Sequence, residues 1–372
     1  MLKNKKFVLC VLIIMSLSGL LLCSCVMFDS ADEKSMHTSR RRLLKEMRCD
    51  YGMPAPAQAL DADANTEEYK YIADNEYIAT SHRPLSTFSV DVDTASYSNI
   101  RRFLMQQKRL PPKDAVRIEE CINYFSYDYP QPEGKMPLRA TVEMSKCPWN
   151  AGHNLLLIGL QAKKVKEKNL PPGNFVFLVD TSGSMSQEMP LLKKSMTMLV
   201  EKMRPQDRIS IVAYAGFAGL VLPSTSGEDK EKIIETINKF SAQGSTAGAA
   251  GINLAYDIAK RNFIKNGNNR VVLITDGDFN VGVSSEGELV RMIEKKRAEN
   301  IFLTVLGVGM GNYKDNKMEM LADKGNGNYV YIDSVKEAKK ALVNEMSGSM
   351  FTIAKDVKIQ IEFNPRFVKA YR

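Results

Sequence analysis

The fold is decided by an apolar run that ends in a short polar loop, Phe175-Val176-Phe177-Leu178-Val179-Asp180-Thr181-Ser182-Gly183-Ser184. An uninterrupted apolar run of this kind is typical of a strand buried on both faces of a parallel sheet. Leu192, Met196 and Val200 follow at helical spacing, which predicts a helix with one apolar face. A second apolar run at 209–214 then predicts the return to the sheet. These segments indicate the strand-helix-strand unit of an α/β domain.

The same alternation of strands and helices continues to about residue 350. Further strands are predicted at 271–274, 301–308 and 328–332, and further helices at 230–240, around Leu254 and Ile258, around Leu289 and Ile293, and after Val335. We therefore expect residues 171–350 to form a doubly wound, mostly parallel sheet with helices on both faces.

The region before this domain, residues 66–170, is expected to be a mixed α+β region. A strand is predicted at 86–93, and Asp93 or Thr94 is expected to cap the helix that follows. A second helix is predicted at 113–125, with Ile118, Cys121, Ile122 and Phe125 on one face. Two strands are predicted at 138–144 and 155–161.

Residues 357–363 alternate between apolar and polar side chains, which indicates a strand with one buried face. Because this segment and the strands at 138–144 and 155–161 lie on either side of the α/β domain in sequence, we expect the three to pair. The α/β domain would then be inserted into a small β-rich platform. Residues 351–372 would be the start of a C-terminal β region.

The N-terminus has the pattern of a secretory leader. Lys3, Lys5 and Lys6 precede an apolar run at 7–22, which is shorter than the roughly 20 residues that a membrane-spanning helix needs. The run ends in Leu22-Cys23-Ser24-Cys25, which resembles the bacterial lipobox. This resemblance implies that residues 1–24 are a lipoprotein signal peptide.

Cys25 would then be the lipidated first residue of the mature protein. Val26 follows it, which favours the outer membrane in a cell that has one. Residues 25–65 are polar and without sustained apolar periodicity, as in a flexible tether. We expect a protein of the cell envelope, anchored by lipid to a membrane surface outside the cytoplasm.

Charge and cysteine content exclude several classes of function. Of the net charge of +8, three positive charges belong to the leader, and the remaining +5 is too mild for a nucleic-acid-binding surface. Cys49, Cys121 and Cys147 remain after the leader and the lipidated cysteine are set aside. Their spacing does not match a zinc site. If a disulfide forms, we expect it between Cys121 and Cys147, because Cys49 lies in the tether.

Polar loops follow three of the predicted elements. They are 180–185 after the first strand, 244–248 before the helix at Leu254, and 275–278 after the strand at 271–274. In open α/β sheets ligands bind beyond the carboxyl ends of the strands, where such loops meet. Their hydroxyl and carboxylate oxygens are the ligands that a hard divalent cation prefers.

These loops resemble the metal-ion-dependent adhesion site of the von Willebrand factor type A family. The motif Asp-x-Ser-x-Ser falls on Asp180, Ser182 and Ser184, the threonine of the family matches Thr246, and its later aspartate matches Asp276. The resemblance implies that the hydroxyls coordinate Mg²⁺ or Mn²⁺ directly and that the aspartates act largely through water. It also implies that an Asp or Glu carboxylate of a protein partner completes the site, in adhesion or in assembly of a complex.

The resemblance extends upstream of the domain. Glu67-Glu68-Tyr69, residues 84–97 and residues 118–125 are similar to the conserved N-terminal region that precedes this domain in bacterial envelope lipoproteins. Chains of that group continue beyond the position of Arg372. The resemblance therefore implies that this chain is truncated there.

Three alternatives to metal-dependent binding of a partner share some sequence features with this chain. Asp91 and Asp93 after a strand resemble the carboxylate pair of haloacid-dehalogenase-type phosphatases, but Ala95 stands where that motif expects Thr or Val. A serine hydrolase built on Ser184 lacks the second glycine of a nucleophile elbow and a well-placed histidine. Catalysis is therefore not indicated. A structural scaffold whose metal site never exchanges a ligand stays open.

Overall fold

The computed structural model describes residues 8–12, 67–90, 92–165, 169–242, 248–277, 286–309, 313–345 and 357–372. The strands are β1 (Val8–Leu12), β2 (Ile78–Ala79), β3 (Leu85–Ser89), β4 (Leu138–Lys146), β5 (Asn154–Ala162), β6 (Gly173–Asp180), β7 (Arg208–Tyr214), β8 (Ala218–Ser226), β9 (Asn268–Thr275), β10 (Ile301–Gly307), β11 (Tyr329–Tyr331), β12 (Lys358–Glu362) and β13 (Ala370–Tyr371).

The α-helices are α1 (Ala95–Met105), α2 (Ile118–Asn123), α3 (Met189–Lys202), α4 (Lys230–Asn238), α5 (Gly248–Arg261), α6 (Glu286–Ala298), α7 (Asp315–Lys324) and α8 (Val335–Lys339). Short 3₁₀ turns lie at Lys113–Ala115 and Gly183–Ser186, and a π-helical turn lies at Lys340–Glu345. None of the described helices is long and apolar enough to cross a membrane.

The central sheet has six strands in the order β11-β10-β9-β6-β7-β8. All neighbours pair in parallel except β8, which pairs antiparallel to β7 at one edge. The predicted doubly wound α/β fold is confirmed. The sequence analysis missed β8, an edge strand whose Gly219 and Pro223 interrupt the apolar pattern.

Alternate side chains of the sheet enter two separate cores. On one face, residues such as Leu178, Val212 and Leu273 pack with α5, α6 and α7. On the other face, residues such as Phe177, Ile211 and Val272 pack with α3, α4 and α8. Both faces are therefore covered, and each fully buried Leu, Ile or Val contributes roughly 1.5–3 kcal/mol to folding.

Helix α1 packs against β11. Asp93, expected to cap this helix, instead accepts a hydrogen bond from the backbone N–H of Tyr329 over 2.9 Å. Thr94 is the residue before the helix, but its side chain makes no capping hydrogen bond. The capping prediction is wrong, because Asp93 satisfies the backbone of a strand that is distant in sequence.

The apolar face of the second predicted helix is largely exposed in α2. Ile118, Ile122 and Phe125 are each about half exposed or more, whereas Glu120 is buried. Arg117, just before the helix, forms ion pairs with both Glu120 and Asp315. The helix is oriented by this buried ion pair, and an apolar periodicity cannot reveal such a pairing.

The β-strands outside the central sheet pair differently from the prediction. β4 pairs antiparallel with β5 along its whole length, and β12 joins a sheet in the order β1-β12-β3. The strand at 357–363 is present, but its predicted pairing with 138–144 and 155–161 is wrong. The alternating pattern identifies a strand and its buried face, but it does not identify the neighbouring strand.

The described cysteines of the folded region are not bridged. Cys121 and Cys147 are both free thiols, so the predicted disulfide between them is wrong. The Sγ of Cys121 lies 3.9 Å from the hydroxyl of Ser96, at the contact between α1 and α2. Cys147 is buried at the end of the β4–β5 hairpin. These two cysteines lie on separate elements.

The chain divides into two compact units. One contains residues 66–76 and 87–360, and therefore the central sheet with α1 to α8. The other contains residues 77–86 and 361–372, where β2 pairs with β13. The predicted tether lies outside the described residues, as does the predicted leader apart from residues 8–12.

Candidate metal centre

Asp180 is the last residue of β6, and its side chain is fully buried. Its Oδ1 accepts a hydrogen bond from the backbone N–H of Ser182 over 2.9 Å. Its Oδ2 accepts hydrogen bonds from the hydroxyls of Tyr214 over 2.9 Å and Thr275 over 3.2 Å. All three donors are neutral, so they orient the carboxylate without cancelling its charge. Burial raises the pKa of Asp180, hydrogen bonds from Ser182 oppose that shift, and the charge of Asp276 adds to it.

Ser182 and Ser184 lie in the loop that leaves β6. The 3₁₀ turn Gly183–Ser186 brings their hydroxyl oxygens to 3.0 Å from each other. Ser182 is buried and Ser184 is exposed. The hydroxyl pair therefore extends from the buried carboxylate of Asp180 to the solvent-exposed side chain of Ser184.

Asp276 follows the neighbouring strand β9. The register pairs Val179 of β6 with Ile274 of β9, so Asp180 and Asp276 leave adjacent strands at the same edge of the sheet. From β6 the chain crosses to β7 on one side, and from β9 it crosses to β10 on the other. The two aspartates thus lie at the topological switch point, where open α/β sheets bind their ligands.

The backbone around Asp276 needs glycine. Gly277 has φ +95°, and a Cβ there would lie 2.5 Å from the backbone nitrogen of Lys314. Gly309, after β10, has φ +88°, and a Cβ there would lie 3.2 Å from the Cβ of Asp276. Both positions combine a left-handed conformation with close packing, so a side chain at either would displace the loops that hold the aspartate.

Tyr214, Thr275 and Glu188 also belong to this site, and no local motif marks them. Tyr214 was predicted only as the end of a strand, and Thr275 only as part of the loop 275–278. Glu188 is half-buried just before α3, and burial raises its pKa, as does the charge of Asp276. Their contribution to the site can be recognised only in the folded structure, where the strand ends lie next to each other.

Four residues considered in the sequence cannot be placed. Thr246, Asp278 of the loop 275–278, the lipidation residue Cys25 and Asp91 of the phosphatase alternative lie outside the described residues. Among the described residues, no group of three or more Asp, Glu, His or Cys side chains is arranged to hold a metal directly. A metal held here would therefore depend on hydroxyl ligands.

A hard divalent cation fits this donor set. Such cations prefer oxygen ligands, and Mg²⁺ keeps several of its water molecules. The hydroxyls of Ser182 and Ser184 are adjacent and partly open to solvent, and Asp180 supplies a fixed negative charge beneath them. These oxygens alone do not fill the coordination shell of such an ion.

A cavity of about 600 Å³ opens beside Gly277. Its lining carries both charges, with four lysines and four carboxylates: Lys70, Lys314, Lys317, Lys324, Glu68, Glu286, Glu319 and Asp323. Lys314 forms a salt bridge with Glu68 over 2.8 Å, on the segment just before β2. The surface next to Asp276 is therefore a polar groove rather than an apolar pocket.

Family comparisons agree with this architecture. Residues 174–345 match the family model described as von Willebrand factor type A domain, and residues 63–157 match a model described as von Willebrand factor. Residues 348–372 match a model described as uncharacterized protein YfbK, C-terminal.

Two curated relatives match a large part of the chain. The uncharacterized protein YfbK of Escherichia coli (strain K12) is 46% identical over 320 residues, which is 84% of this chain and 56% of the relative. The uncharacterized protein sll0103 of Synechocystis sp. is 26% identical over 186 residues, which is 49% of this chain and 43% of the relative. The chain spans about half the length of these relatives.

Solved structures align with part of the chain. The conserved hypothetical protein BatB from Bacteroides thetaiotaomicron aligns with a TM-score of 0.40 and 23% identity, over 47% of this chain and 97% of that chain. Proximal thread matrix protein 1 from the mussel byssus, with a zinc-occupied MIDAS motif, aligns with a TM-score of 0.40 and 19% identity. The alignment covers 55% of this chain and 48% of that chain. Domains of the von Willebrand factor type A family often bind a divalent metal at this motif and mediate protein–protein interaction. The family match over residues 174–345, on a doubly wound sheet of the order described above, identifies this part of the chain as a von Willebrand factor type A domain.

Proposed function

We propose that this protein is a lipid-anchored protein of the cell envelope that captures a carboxylate of a protein partner through a divalent metal. The carrying observation is the pair of hydroxyls of Ser182 and Ser184, 3.0 Å apart, above the buried carboxylate of Asp180. Ser182, Ser184 and Thr246 would hold Mg²⁺ or Mn²⁺ directly, while Asp180 and Asp276 would act through water. When bound, the metal would supply the positive charge that attracts the anionic group of the partner.

The proposed ligand set favours an external anion. Two carboxylates and three hydroxyls neutralise a divalent ion less completely than an all-carboxylate cage would, so an incoming carboxylate gains more by approaching it. The side chains around Asp180 hold its orientation before the partner arrives. Little reorganisation is then needed on binding.

The groove beside Gly277 does not by itself favour an acidic partner, because its lining contains four carboxylates as well as four lysines. The proposed preference for a carboxylate therefore rests on the metal alone.

A pull-down from envelope extracts tests this function. The full chain is used as bait with Mg²⁺, with a chelator, and as a Ser182→Ala, Ser184→Ala double variant. We expect the same partner to be retained by the wild type with Mg²⁺ and lost in the other two experiments. Equal retention in all three would contradict metal-dependent capture. Lys232→Ala, on the exposed side of α4, is a surface control and should retain the partner.

A further inference from the structure

We propose that Glu188 is an additional acidic residue of the metal centre, which accepts hydrogen bonds from water bound to the ion and so raises affinity for the ion. This inference rests on the proposed function, because it assigns a new residue to the same site. Glu188 lies outside the five positions of the adhesion-site motif.

Glu188 lies close to Asp276, on the other side of Gly309. A Cβ built on Gly309 would lie 3.2 Å from the Cβ of Asp276 and 3.4 Å from the Cγ of Glu188. The two acidic side chains therefore flank the same glycine. Gly309 keeps the space between them open, since any side chain there would meet both.

In the resolved ranges of the chain, the carboxylate of Glu188 makes no hydrogen bond and no ion pair, although the side chain is half-buried. It does not cap α3 either, because no side-chain capping hydrogen bond forms at that helix. The hydrogen bonds of Glu188 are made by its backbone: the N–H donates to the carbonyl of Met185 over 3.1 Å, and the carbonyl accepts from the N–H of Leu192 over 2.9 Å. A half-buried carboxylate with free acceptors is available to water molecules around an ion.

The charge of the Glu188 carboxylate is influenced by Arg102 and Asp276. Arg102 is the cation whose field favours the ionised form of Glu188. Its guanidinium, however, is buried, and both of its terminal nitrogens donate hydrogen bonds to the carboxylate of Glu67, over 2.7 Å and 3.0 Å. Since that salt bridge already balances the charge of Arg102, the negative charge of Glu188 is left to attract a cation.

Glu188 acts through water in this proposal. The described carboxylates are not arranged to ligate one ion directly, and a hydrated Mg²⁺ leaves room for outer acceptors. Residues in such outer positions typically change metal affinity by 10- to 100-fold when mutated. Glu188 would thus be a positioning residue for the hydrated ion.

Calorimetry of Mg²⁺ binding to the full chain in detergent, at neutral pH, tests this proposal. Glu188→Gln keeps the shape of the side chain and removes its charge. We expect its affinity for Mg²⁺ to fall by about tenfold. Glu201→Gln, on the exposed surface near the end of the same helix, is the matched control and should bind as the wild type does.

Thermal unfolding in a chelator gives a second readout, which a merely structural role would not produce. Without metal, Glu188→Gln should unfold at a higher temperature than the wild type, because it removes a poorly solvated charge next to Asp276. With saturating Mg²⁺ this advantage should shrink or reverse. Equal Mg²⁺ affinity of Glu188→Gln and a metal-binding wild type would overturn the role of Glu188 and leave the proposed function intact. A wild type that does not bind Mg²⁺ would overturn both.

Discussion

The phenol of Tyr214 donates a hydrogen bond to Oδ2 of Asp180 over 2.9 Å, and both side chains are fully buried. Tyr214 ends β7 and Asp180 ends β6, so this bond connects two adjacent strands at the base of the proposed metal centre. The backbone of Tyr214 takes part as well, since its carbonyl accepts from the N–H of Thr181 over 2.9 Å. The orientation of the aspartate is therefore set by the sheet itself.

Tyr214→Phe should remove that donor and leave the aromatic packing in place. We expect a loss of about 1.5–3 kcal/mol in the free energy of unfolding, the usual range for a hydrogen bond to a charged group. Urea unfolding measures it. Tyr256→Phe is the control, because the buried hydroxyl of Tyr256 has no described hydrogen-bond partner, and its removal should cost much less. Equal losses in the two variants would contradict the role of Tyr214.

Glu67→Gln should destabilise the domain strongly. The salt bridge between Glu67 and Arg102 is almost completely buried, so removing one partner leaves a buried charge uncompensated, at about 3–5 kcal/mol. The exposed pair of Glu133 and Arg139 is the control, and Glu133→Gln should cost at most about 1 kcal/mol. Urea unfolding of both variants checks this. A small loss for Glu67→Gln would show that the segment before β2 does not stabilise the domain.

Glu120 should make stability depend on pH. Burial raises the pKa of Glu120 from 4.5 to about 7, although Arg117 opposes the shift. Because the folded pKa is the higher one, this group stabilises the folded state fully below the unfolded pKa, and that contribution is lost as the pH rises through about 7. Relative to Glu120→Gln, the wild type should lose about 3 kcal/mol in unfolding free energy between about pH 4 and pH 8. Parallel stability curves for the two proteins would contradict this.

Cys25→Ser should abolish lipid attachment. The short apolar run and Leu22-Cys23-Ser24-Cys25 carry this prediction, and Cys25 lies outside the described residues. We expect the wild type to partition into detergent and the variant to lose both lipid-dependent processing and membrane retention. Cys49→Ser is the matched control and should behave as the wild type does. Unchanged retention of the Cys25 variant would refute the anchor.

The central fold could be predicted because its strands are continuous apolar runs. Burial on both faces leaves a simple pattern, and the helices between them keep one apolar face. The pattern failed where polar groups determine burial. Glu120 is buried through its ion pair with Arg117, and Asp93 is buried through the backbone N–H of Tyr329. Such pairs join residues that no local periodicity connects.

The grouping of the candidate site residues could be predicted where they are adjacent in sequence. Asp180, Ser182 and Ser184 share one loop, and the structure bonds the backbone N–H of Ser182 to Asp180 and its hydroxyl to that of Ser184. Glu188 and Tyr214 were missed because each contributes through contacts with other strand ends. The surroundings of a metal centre depend on strand order, which apolar patterns do not fix.

The central claim is tested most directly by calorimetry of Mg²⁺ binding to the wild type and to Asp180→Ala. The account predicts that the wild type binds the ion and that the variant does not. The variant should still unfold cooperatively, because apolar burial on both faces of the sheet provides most of the stability. Asp180→Asn, which keeps the shape of the side chain, should also lose binding. If the wild type and Asp180→Ala bind Mg²⁺ equally, or if neither binds it, the metal-centre account is wrong.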